Sequence, residues 1–388
     1  MRVLGMISGT SFDGIDVFVG DLTLHGDEVR VQRRAAGSAP YSDGLRERLL
    51  KALPPLPVTA EDVCIIDTLV GQEFAAAALA TAQSVGGVDL IVSHGQTLYH
   101  WIDGEGRALG TLQVGNPAWI AERTGIPVVA DLRSRDVAAG GQGAPLASLV
   151  DVLLLGGTGS RQAAVNLGGI SNITVVADGM EPIAYDIGTA NALLDAVIAE
   201  VSDGRTRFDA DAAIASTGTV RADWLATLLD EPYYAQAAPK STGKELFNLD
   251  YLERRLGPVR TLPLADLLAT LTELTCRTVM DEVARWRLDR VLFAGGGTAN
   301  PLMMQRMREL SPGAEVGTMD ALGVDPREKE ALLFALMGFL TVHGLPANVP
   351  SCTGATGQRI LGSITPGARP LQLPAPQTAA VRRLRLGA

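Results

Sequence analysis

Residues 5–16 read GMISGTSFDGID, a small hydroxylated turn that follows an apolar start and precedes a second apolar segment. The β-branched residues on both sides predict strand–turn–strand, with strands over 2–7 and 15–22. Glycines let the backbone approach a ligand closely, and neighbouring amides that point the same way form an anion-binding concavity. Taken alone, however, such a turn is more typical of a plain hairpin tip.

The same pattern returns near residue 163, where NLGGISN (166–172) separates predicted strands over 162–167 and 173–177. Strands and helices alternate in both halves, which indicates an α/β architecture in two related lobes. We place the first lobe at 1–155 and the second at 156–388, with a proline-rich C-terminal tail that can pack back on the first lobe. Two such turns at corresponding places favour a pair of phosphate-binding turns.

The composition narrows the class of protein. The chain has 388 residues, 47% hydrophobic and 20% charged, and a net charge of −10 without a basic block. These values predict two globular domains with no nucleic-acid or membrane partner. The three cysteines are too scattered for a zinc site or a disulfide framework. No signal peptide is evident, and the longest apolar run, 331–342, is too short to cross a bilayer. We therefore expect a soluble, cytoplasmic protein.

Two common nucleotide-binding loops are absent from the sequence. Residues 241–244 read STGK but lack the surrounding residues of a Walker A loop, and no GxGxxG motif opens a βαβ unit. The segment GGGTAN (295–300) stands between a predicted strand, 290–294, and a helix. Consecutive glycines lose much conformational entropy there. They favour backbone approach to adenosine or phosphate at a helix N-terminus, with a loose loop as the alternative.

Several polar residues are candidate catalytic or sugar-binding groups. Asp186 follows a predicted strand, where a carboxylate can deprotonate a nucleophilic water, although Asp before Gly is equally typical of a turn or N-cap. His94 follows a buried strand and is predicted to be structural, whereas Gln96 and Thr97 suit sugar hydroxyls. Glu330 begins an apolar helix, where an acid is usually a dipole or cap residue.

The segment DLRSRD (131–136) alternates charges. This pattern predicts an internal ion-pair network. The alternative is that Arg133 and Arg135 meet a substrate carboxylate.

Eight motifs in fixed order connect these features to a known family. They are SGTSFDGID, SHGQT, VGNPAWIAERTGIPVVADLRSRD, AAGGQGAPL, NLGGISN, PKSTGKELFN, AGGGTAN and KEALLFA. This set resembles the anhydro-N-acetylmuramic acid kinases over nearly the whole chain, and SGTSxDGID with GGQGAPL is its most specific part. The family belongs to the superfamily of sugar kinases, actin and heat-shock chaperone ATPases. The resemblance therefore implies a two-lobed, actin-like (ribonuclease H-like) fold with duplicated mixed-sheet domains around a central ATP cleft.

The resemblance also implies a reaction. ATP and water open the 1,6-anhydro ring of anhydro-N-acetylmuramic acid and phosphorylate O6, which gives N-acetylmuramic acid 6-phosphate in peptidoglycan recycling. Mg²⁺ is expected with ATP, although no residue is assigned as a metal ligand. Since the family is often dimeric, a homodimer is an expected option.

Asp186 matches the position of the family's proposed base for the attacking water. The resemblance implies three further groups of candidate residues. The first phosphate turn is formed by Gly9, Thr10, Ser11, Phe12, Asp13, Gly14, Ile15 and Asp16, and the second phosphate turn with its nucleotide loop by Gly168, Gly169, Gly295, Gly296, Gly297 and Asn300. The residues expected on the sugar side are Thr97, Gln96, Glu330 and Asn191.

The catalytic turn departs from the family pattern. The family usually reads FDTGPGN, and residues 185–191 here read YDIGTAN. Two alternatives follow. One is a levoglucosan-type 1,6-anhydro sugar kinase, although GNP at 115–117 follows the muramic acid pattern. The other is a catalytically silent, actin-like sensor of nucleotide or muropeptide, for which the altered turn is the only support.

Overall fold

A computed structural model describes residues 1–9, 12–53, 56–311 and 313–387. Its strands are β1 (Arg2–Ser8), β2 (Gly14–His25), β3 (Glu28–Pro40), β4 (Leu90–Ile102), β5 (Ala108–Val114), β6 (Val128–Ala130), β7 (Gln162–Leu167), β8 (Ile170–Val176), β9 (Ile183–Thr189), β10 (Arg290–Ala294), β11 (Glu315–Thr318), β12 (Ser363–Thr365) and β13 (Arg383–Gly387). Its α-helices are α1 (Asp43–Lys51), α2 (Ala60–Ser84), α3 (Pro117–Thr124), α4 (Ser134–Ala138), α5 (Ser148–Leu155), α6 (Ala192–Val201), α7 (Ala222–Leu229), α8 (Leu249–Leu256), α9 (Leu264–Trp286), α10 (Pro301–Glu309), α11 (Lys329–Val342) and α12 (Pro350–Thr353).

The chain divides into two compact units. The first combines residues 1–154 with the chain from Leu322 onward, and the second is the continuous segment 155–321. The sheet of the first unit is built on the strand order β3-β2-β1-β4-β6. Strands β1, β2 and β3 form an antiparallel meander, while β4 runs parallel to β1 and β6 runs parallel to β4. Its margins are extended by β13 beside β3 and by β12 beside β6.

The sheet of the second unit repeats this arrangement. Its order is β9-β8-β7-β10-β11, with β7, β8 and β9 antiparallel and with β10 and β11 parallel to β7. In each unit the parallel fourth strand is reached by a crossover that contains a long helix, α2 or α9. The predicted α/β class with duplicated mixed sheets is confirmed.

The predicted second lobe, 156–388, is corrected at its C-terminal end. Helix α11 packs on β1, β2 and β4 of the first unit. Two glycines allow this close approach, because a Cβ on Gly5 would overlap the carbonyl oxygen of Ala331 and a Cβ on Gly338 would overlap the side chain of Val92. The chain from Leu322 onward therefore completes the first unit, and the second unit is an insertion before it.

Helix α2 is the single helix in the described ranges that is long and apolar enough to span a membrane by length and composition. An 18-residue window has a mean hydropathy of 1.5, and 39% of it is buried. Ile66, Val70, Phe74 and Ala78 on this helix are buried in the core of the first unit. The length and apolar character of α2 are thus those of a helix that covers a sheet.

Candidate active site

The first predicted phosphate turn joins β1 to β2 in the first unit. Gly9 has open space beside it in the described part of the chain, since a Cβ there would meet no heavy atom within 4 Å. Phe12 has a left-handed φ of 54° and buries its side chain in the core, so it anchors the far side of the turn. Its N–H donates to the Gly9 carbonyl at 3.4 Å. The predicted contacts Thr10 and Ser11 lie outside the described residues.

The remaining residues of this motif divide between packing and polar roles. Ile15 lies in the core, and a Cβ on Gly14 would overlap the carbonyl oxygen of Ala39. Packing therefore accounts for these two residues. Asp13 is exposed and Asp16 is half-buried. They are the carboxylates that this motif places beside the turn.

Gln96 holds the first turn from β4. Its Oε1 accepts a hydrogen bond from Ser8 Oγ at 2.6 Å, and its Nε2 donates to the Gly9 carbonyl at 3.2 Å. The residue is fully buried. The prediction of a direct sugar contact is therefore corrected to a supporting role in the turn. Thr97 is half-buried and accepts a hydrogen bond from Gln113 at 3.2 Å, and it stays a candidate for the sugar side.

His94 is a structural residue, and the SHGQT motif lies inside β4 rather than after a strand. Burial and the charge of Arg133 lower the pKa of His94 to about 3, so its ring is neutral. Its Nε2 accepts from Arg133 Nε at 2.7 Å, and Nδ1 donates to the Gly95 carbonyl at 3.1 Å. Arg133 also donates to the Gly143 carbonyl at 2.7 Å. Arg133 thus makes hydrogen bonds to neutral groups instead of joining the predicted ion-pair network.

Glu330 lies in the first turn of α11 and is exposed, yet burial of its carboxyl group raises its pKa. Arg133 opposes this shift and Asp16 adds to it. The pKa of Asp16 is likewise raised, by burial first and then by Asp13. In the first unit the Glu330 carboxyl is therefore within electrostatic reach of Arg133 and Asp16, and Asp16 is within reach of Asp13.

The second predicted phosphate turn joins β7 to β8, and the start of α6 fixes its shape. Asn191 Nδ2 donates to the carbonyls of Leu167 at 3.1 Å and Gly168 at 2.8 Å. The backbone N–H groups of residues 190–192 donate to the carbonyls of Gly168 and Gly169 at 2.9–3.0 Å. The side chain of Asn191, predicted to contact the sugar, is therefore used to hold this turn.

The fixed carbonyls determine where the amides of the turn point. In a planar trans peptide the C=O and the N–H lie on opposite sides. The N–H groups of Gly168 and Gly169 consequently point away from α6, and neither has an acceptor among the described residues. Adjacent amides without acceptors in the described ranges are the type of donor from which an anion-binding concavity is built, and phosphate binding by this turn stays a prediction.

The glycine-rich loop after β10 packs directly on this turn. A Cβ on Gly295, where φ is 86°, would lie 2.6 Å from Asn166 Oδ1, and one on Gly297 would lie 2.7 Å from Leu167 Cβ. Gly296 has no neighbour within 4 Å in the described ranges, so its backbone is open. Asn300 caps α10, because its Oδ1 accepts from the Met303 amide at 2.9 Å. The second unit thus brings the predicted nucleotide loop and phosphate turn together.

Asp186 lies inside β9, not after a strand as predicted, beside an irregularity in the register of β8 and β9. Its Oδ2 accepts from Ser241 Oγ at 2.8 Å and from the Thr242 amide at 3.1 Å. Its Oδ1 has no donor within the described ranges. Burial raises the pKa of Asp186, and the two hydrogen bonds oppose this shift. A partly buried carboxylate with one fixed and one open oxygen has the features of a general base.

The segment that carries these donors is itself fixed to β9. The Asp186 amide donates to the Lys240 carbonyl at 3.0 Å, and the hydroxyl of Tyr233 donates to the Asp186 carbonyl at 2.7 Å. Lys240 Nζ is buried and donates to the carbonyls of Tyr233 and Tyr234, both at 3.1 Å. These bonds keep Ser241 and Thr242 in place beside the carboxylate.

A family model for the anhydro-N-acetylmuramic acid kinases matches residues 1–367. The chain belongs to this family. It is therefore a kinase, an enzyme that transfers a phosphoryl group.

Relatives with that name match over nearly their full length. An anhydro-N-acetylmuramic acid kinase from Streptomyces coelicolor is 49% identical over 388 residues, which are 100% of this chain and 99% of that protein. One from Rhodococcus erythropolis is 51% identical over 380 residues, 96% of each chain. Among solved structures, the activator of the 2-hydroxyisocaproyl-CoA dehydratase from Clostridium difficile with bound ADPNP aligns with 12% identity and a TM-score of 0.41. The alignment covers 87% of this chain and 93% of that chain, and it is too weak for a functional conclusion.

Sequence reasoning missed the roles of Ser241 and Thr242 beside Asp186. Their motif, PKSTGKELFN, helped to identify the anhydro-N-acetylmuramic acid kinase family, but no function was assigned to it. The available signal was a short run of hydrogen-bond donors, Ser241 and Thr242, followed by a glycine and a lysine. Nothing in the sequence indicates that this run lies against Asp186, which is 55 residues earlier.

Proposed function

We propose that this kinase uses ATP and water to convert 1,6-anhydro-N-acetylmuramic acid into N-acetylmuramic acid 6-phosphate, as a step of peptidoglycan recycling. Family membership supports the substrate. The observation that carries the mechanism is the setting of Asp186, with Oδ2 held by Ser241 and Thr242, no donor to Oδ1 within the described ranges, and a pKa raised by burial. A base in this state accepts a proton from water more readily than an exposed aspartate.

In the proposed reaction, Asp186 is the base and ATP is the phosphoryl donor. Asp186 takes a proton from water while the water oxygen forms a bond to the anomeric carbon. The bond between that carbon and O6 breaks, O6 forms a bond to the γ-phosphorus, and the bond to the β,γ-bridging oxygen breaks to release ADP. Because phosphoryl transfer depends mainly on positioning and charge stabilisation, the amide-lined turns are suited to this step.

Each unit offers one proposed phosphate-binding turn, which is the turn after Ser8 in the first unit and the turn with the amides of Gly168 and Gly169 in the second. Gly296 offers open backbone for the nucleotide. The described residues contain no group of three or more side chains that could hold a metal ion. Mg²⁺ bound to ATP needs only one or two protein carboxylates, and Asp13 and Asp16 fit that requirement. When bound, Mg²⁺ would neutralise charge on the phosphates.

On the sugar side we propose Glu330 and Thr97, both of which lie in the first unit. Glu330, with its raised pKa and Arg133 nearby, can accept a hydrogen bond from a sugar hydroxyl. A cytoplasmic location and a homodimer stay predictions.

The altered catalytic turn does not favour a silent sensor. The side chains that replace the family residues, Ile187, Thr189 and Ala190, are each about 1% exposed. They pack inside the second unit, so the substitutions change the interior and not the surface that a ligand meets. Levoglucosan remains the competing substrate, and it lacks the lactyl ether and the N-acetyl group.

The test is ADP release from ATP and Mg²⁺, measured with 1,6-anhydro-N-acetylmuramic acid, with levoglucosan and with no sugar. We expect sugar-dependent release, with kcat/KM higher for the muramic acid sugar. Asp186→Asn should lower kcat by a factor on the order of 10²–10⁴, as loss of a general base does, and should leave ATP affinity nearly unchanged. Asp250→Asn, an exposed acid of the same unit, is the matched control. Normal turnover by Asp186→Asn would exclude Asp186 as the base.

A further inference from the structure

Lys244 extends over the second phosphate turn. A Cβ built on Gly169 would lie 3.0 Å from Lys244 Cε and 3.8 Å from its Nζ. Gly169 has no left-handed φ, so its backbone would accept a side chain and the crowding comes mainly from the lysine. Lys244 also opposes the rise in the pKa of Asp195 that burial causes, which places its charge near the first turn of α6.

The ammonium group of Lys244 has no ion pair or hydrogen bond within the part of the chain that the structure describes. Its side chain is exposed. The amides of Gly168 and Gly169 are also without acceptors in those ranges, and they belong to the same turn. One cation and two N–H donors at one turn form a site for an anion with several oxygens.

We propose that Lys244 binds the terminal phosphate of ATP at this turn and carries part of the charge during its transfer. The inference rests on the proposed function, because it takes ATP to be the ligand. Lys244 follows Ser241 by three residues, at most about 11 Å of extended chain. Ser241 holds Asp186, whose water attacks the carbon that releases O6 to the γ-phosphorus. A cation in this segment therefore serves the transferred phosphoryl group and not the α-phosphate.

Binding of AMPPNP and of ADP, each with Mg²⁺ and without sugar, tests the assignment by calorimetry. We expect Lys244→Met to weaken AMPPNP binding by about 10- to 100-fold, as loss of a hydrogen bond to a charged group does, and to change ADP binding much less. Lys244→Arg keeps the charge and should restore most of the affinity. Arg254→Met removes an exposed cation elsewhere in the second unit and should change neither ligand.

A double-mutant cycle links the lysine to the glycine that it covers. Gly169→Ala should weaken AMPPNP binding in the wild-type background, because its methyl group displaces the lysine stem. The same change should have little further effect in the Lys244→Met background. Additive losses would overturn the proposed contact.

Three other results would overturn the assignment. They are unchanged AMPPNP affinity in Lys244→Met, equal losses for AMPPNP and ADP, and a rise only in the KM for the sugar, which would give Lys244 to the lactyl carboxylate. A wild-type chain that binds AMPPNP but shows no sugar-dependent turnover would contradict the proposed function and leave the Lys244 result readable. Normal sugar turnover with normal AMPPNP binding by Lys244→Met would contradict this inference alone.

Discussion

Ser241→Ala removes one of the two donors to Asp186 Oδ2 and leaves the Thr242 amide in place. Ser241 is exposed, so the change deletes a hydroxyl without opening a cavity in the core. The lost hydrogen bond had stabilised the ionised carboxylate. The pKa of Asp186, already raised by burial, therefore rises further in the variant.

The size of the expected effect depends on how easily water reaches the hydrogen bond between Ser241 and Asp186. A hydrogen bond to a charged group contributes about 1.5–3 kcal/mol. Water can replace an exposed hydroxyl, so we expect about half of this, about 0.8–1.5 kcal/mol. Since about 1.4 kcal/mol is a factor of ten in an equilibrium constant, kcat/KM on the acid side should fall about 4- to 12-fold. At a pH well above the pKa of Asp186 in both enzymes, wild type and Ser241→Ala should have nearly equal kcat/KM.

The assay is the pH profile of kcat/KM for 1,6-anhydro-N-acetylmuramic acid at fixed saturating ATP. A base with a higher pKa stays protonated to a higher pH, so the acid limb of the kcat/KM profile moves to higher pH in Ser241→Ala. Ser241→Thr keeps the hydroxyl and should retain the wild-type limb. An equal loss of activity at every pH, or a limb moved to lower pH, would refute the assignment of Ser241 to the carboxylate.

Two further predictions concern the stability of the first unit. Gly5→Ala would drive a methyl group into the backbone of α11 at Ala331 and should lower the free energy of unfolding in urea by about 1–3 kcal/mol or more. Gly37→Ala is the control, because Gly37 lies on the same sheet and has no neighbour within 4 Å in the described ranges. Equal effects of the two changes would contradict the packing of α11 on Gly5. Lys329→Met removes the partner of buried Asp151, 2.5 Å from Lys329 Nζ, and should destabilise by about 3–5 kcal/mol. Adding Asp151→Asn should recover part of that loss, and no recovery would show that the pair is not the cause.

Elements with strong local signals were predicted closely from the sequence. The strands predicted over 290–294 and 162–167 are β10 and β7 with the same bounds. Helix α3 ends at Gly125, whose φ of 70° is typical of a glycine that terminates a helix. In each case the hydrophobic pattern and the terminating residue lie in the segment itself.

Elements that depend on a distant partner were predicted poorly. β3 runs over Glu28–Pro40, although only 29–33 has a strand pattern, because its second half is held by pairing with β2. β13 exists because it pairs with β3, more than 340 residues earlier in the chain. Local propensity carries no information on such partners.

In the candidate site, the sequence indicated the residue types but not their bonds. Gln96 and Asn191 are predicted to bind sugar hydroxyls, and the structure shows them donating to the backbone carbonyls of Gly9 and Gly168 in the two predicted phosphate turns. Amide side chains suit either task equally well, so only the fold can separate them. The effect of Asp16 on the pKa of Glu330 is likewise absent from the sequence pattern, because it arises from packing between α11 and the first strands.

The insertion of one unit inside the other has a consequence for how the chain is made. Residues 155–321 form a continuous segment, so every contact within that unit is available before the last sixth of the chain leaves the ribosome. The first unit cannot complete its folding at that stage, because α11 covers β1 and the strand β13 pairs with β3. During synthesis the chain therefore carries an uncovered face of this sheet, the face with Gly5 and Val92 that α11 later contacts. The part translated first is the part that finishes folding last, and it is the part that chaperones would need to shield.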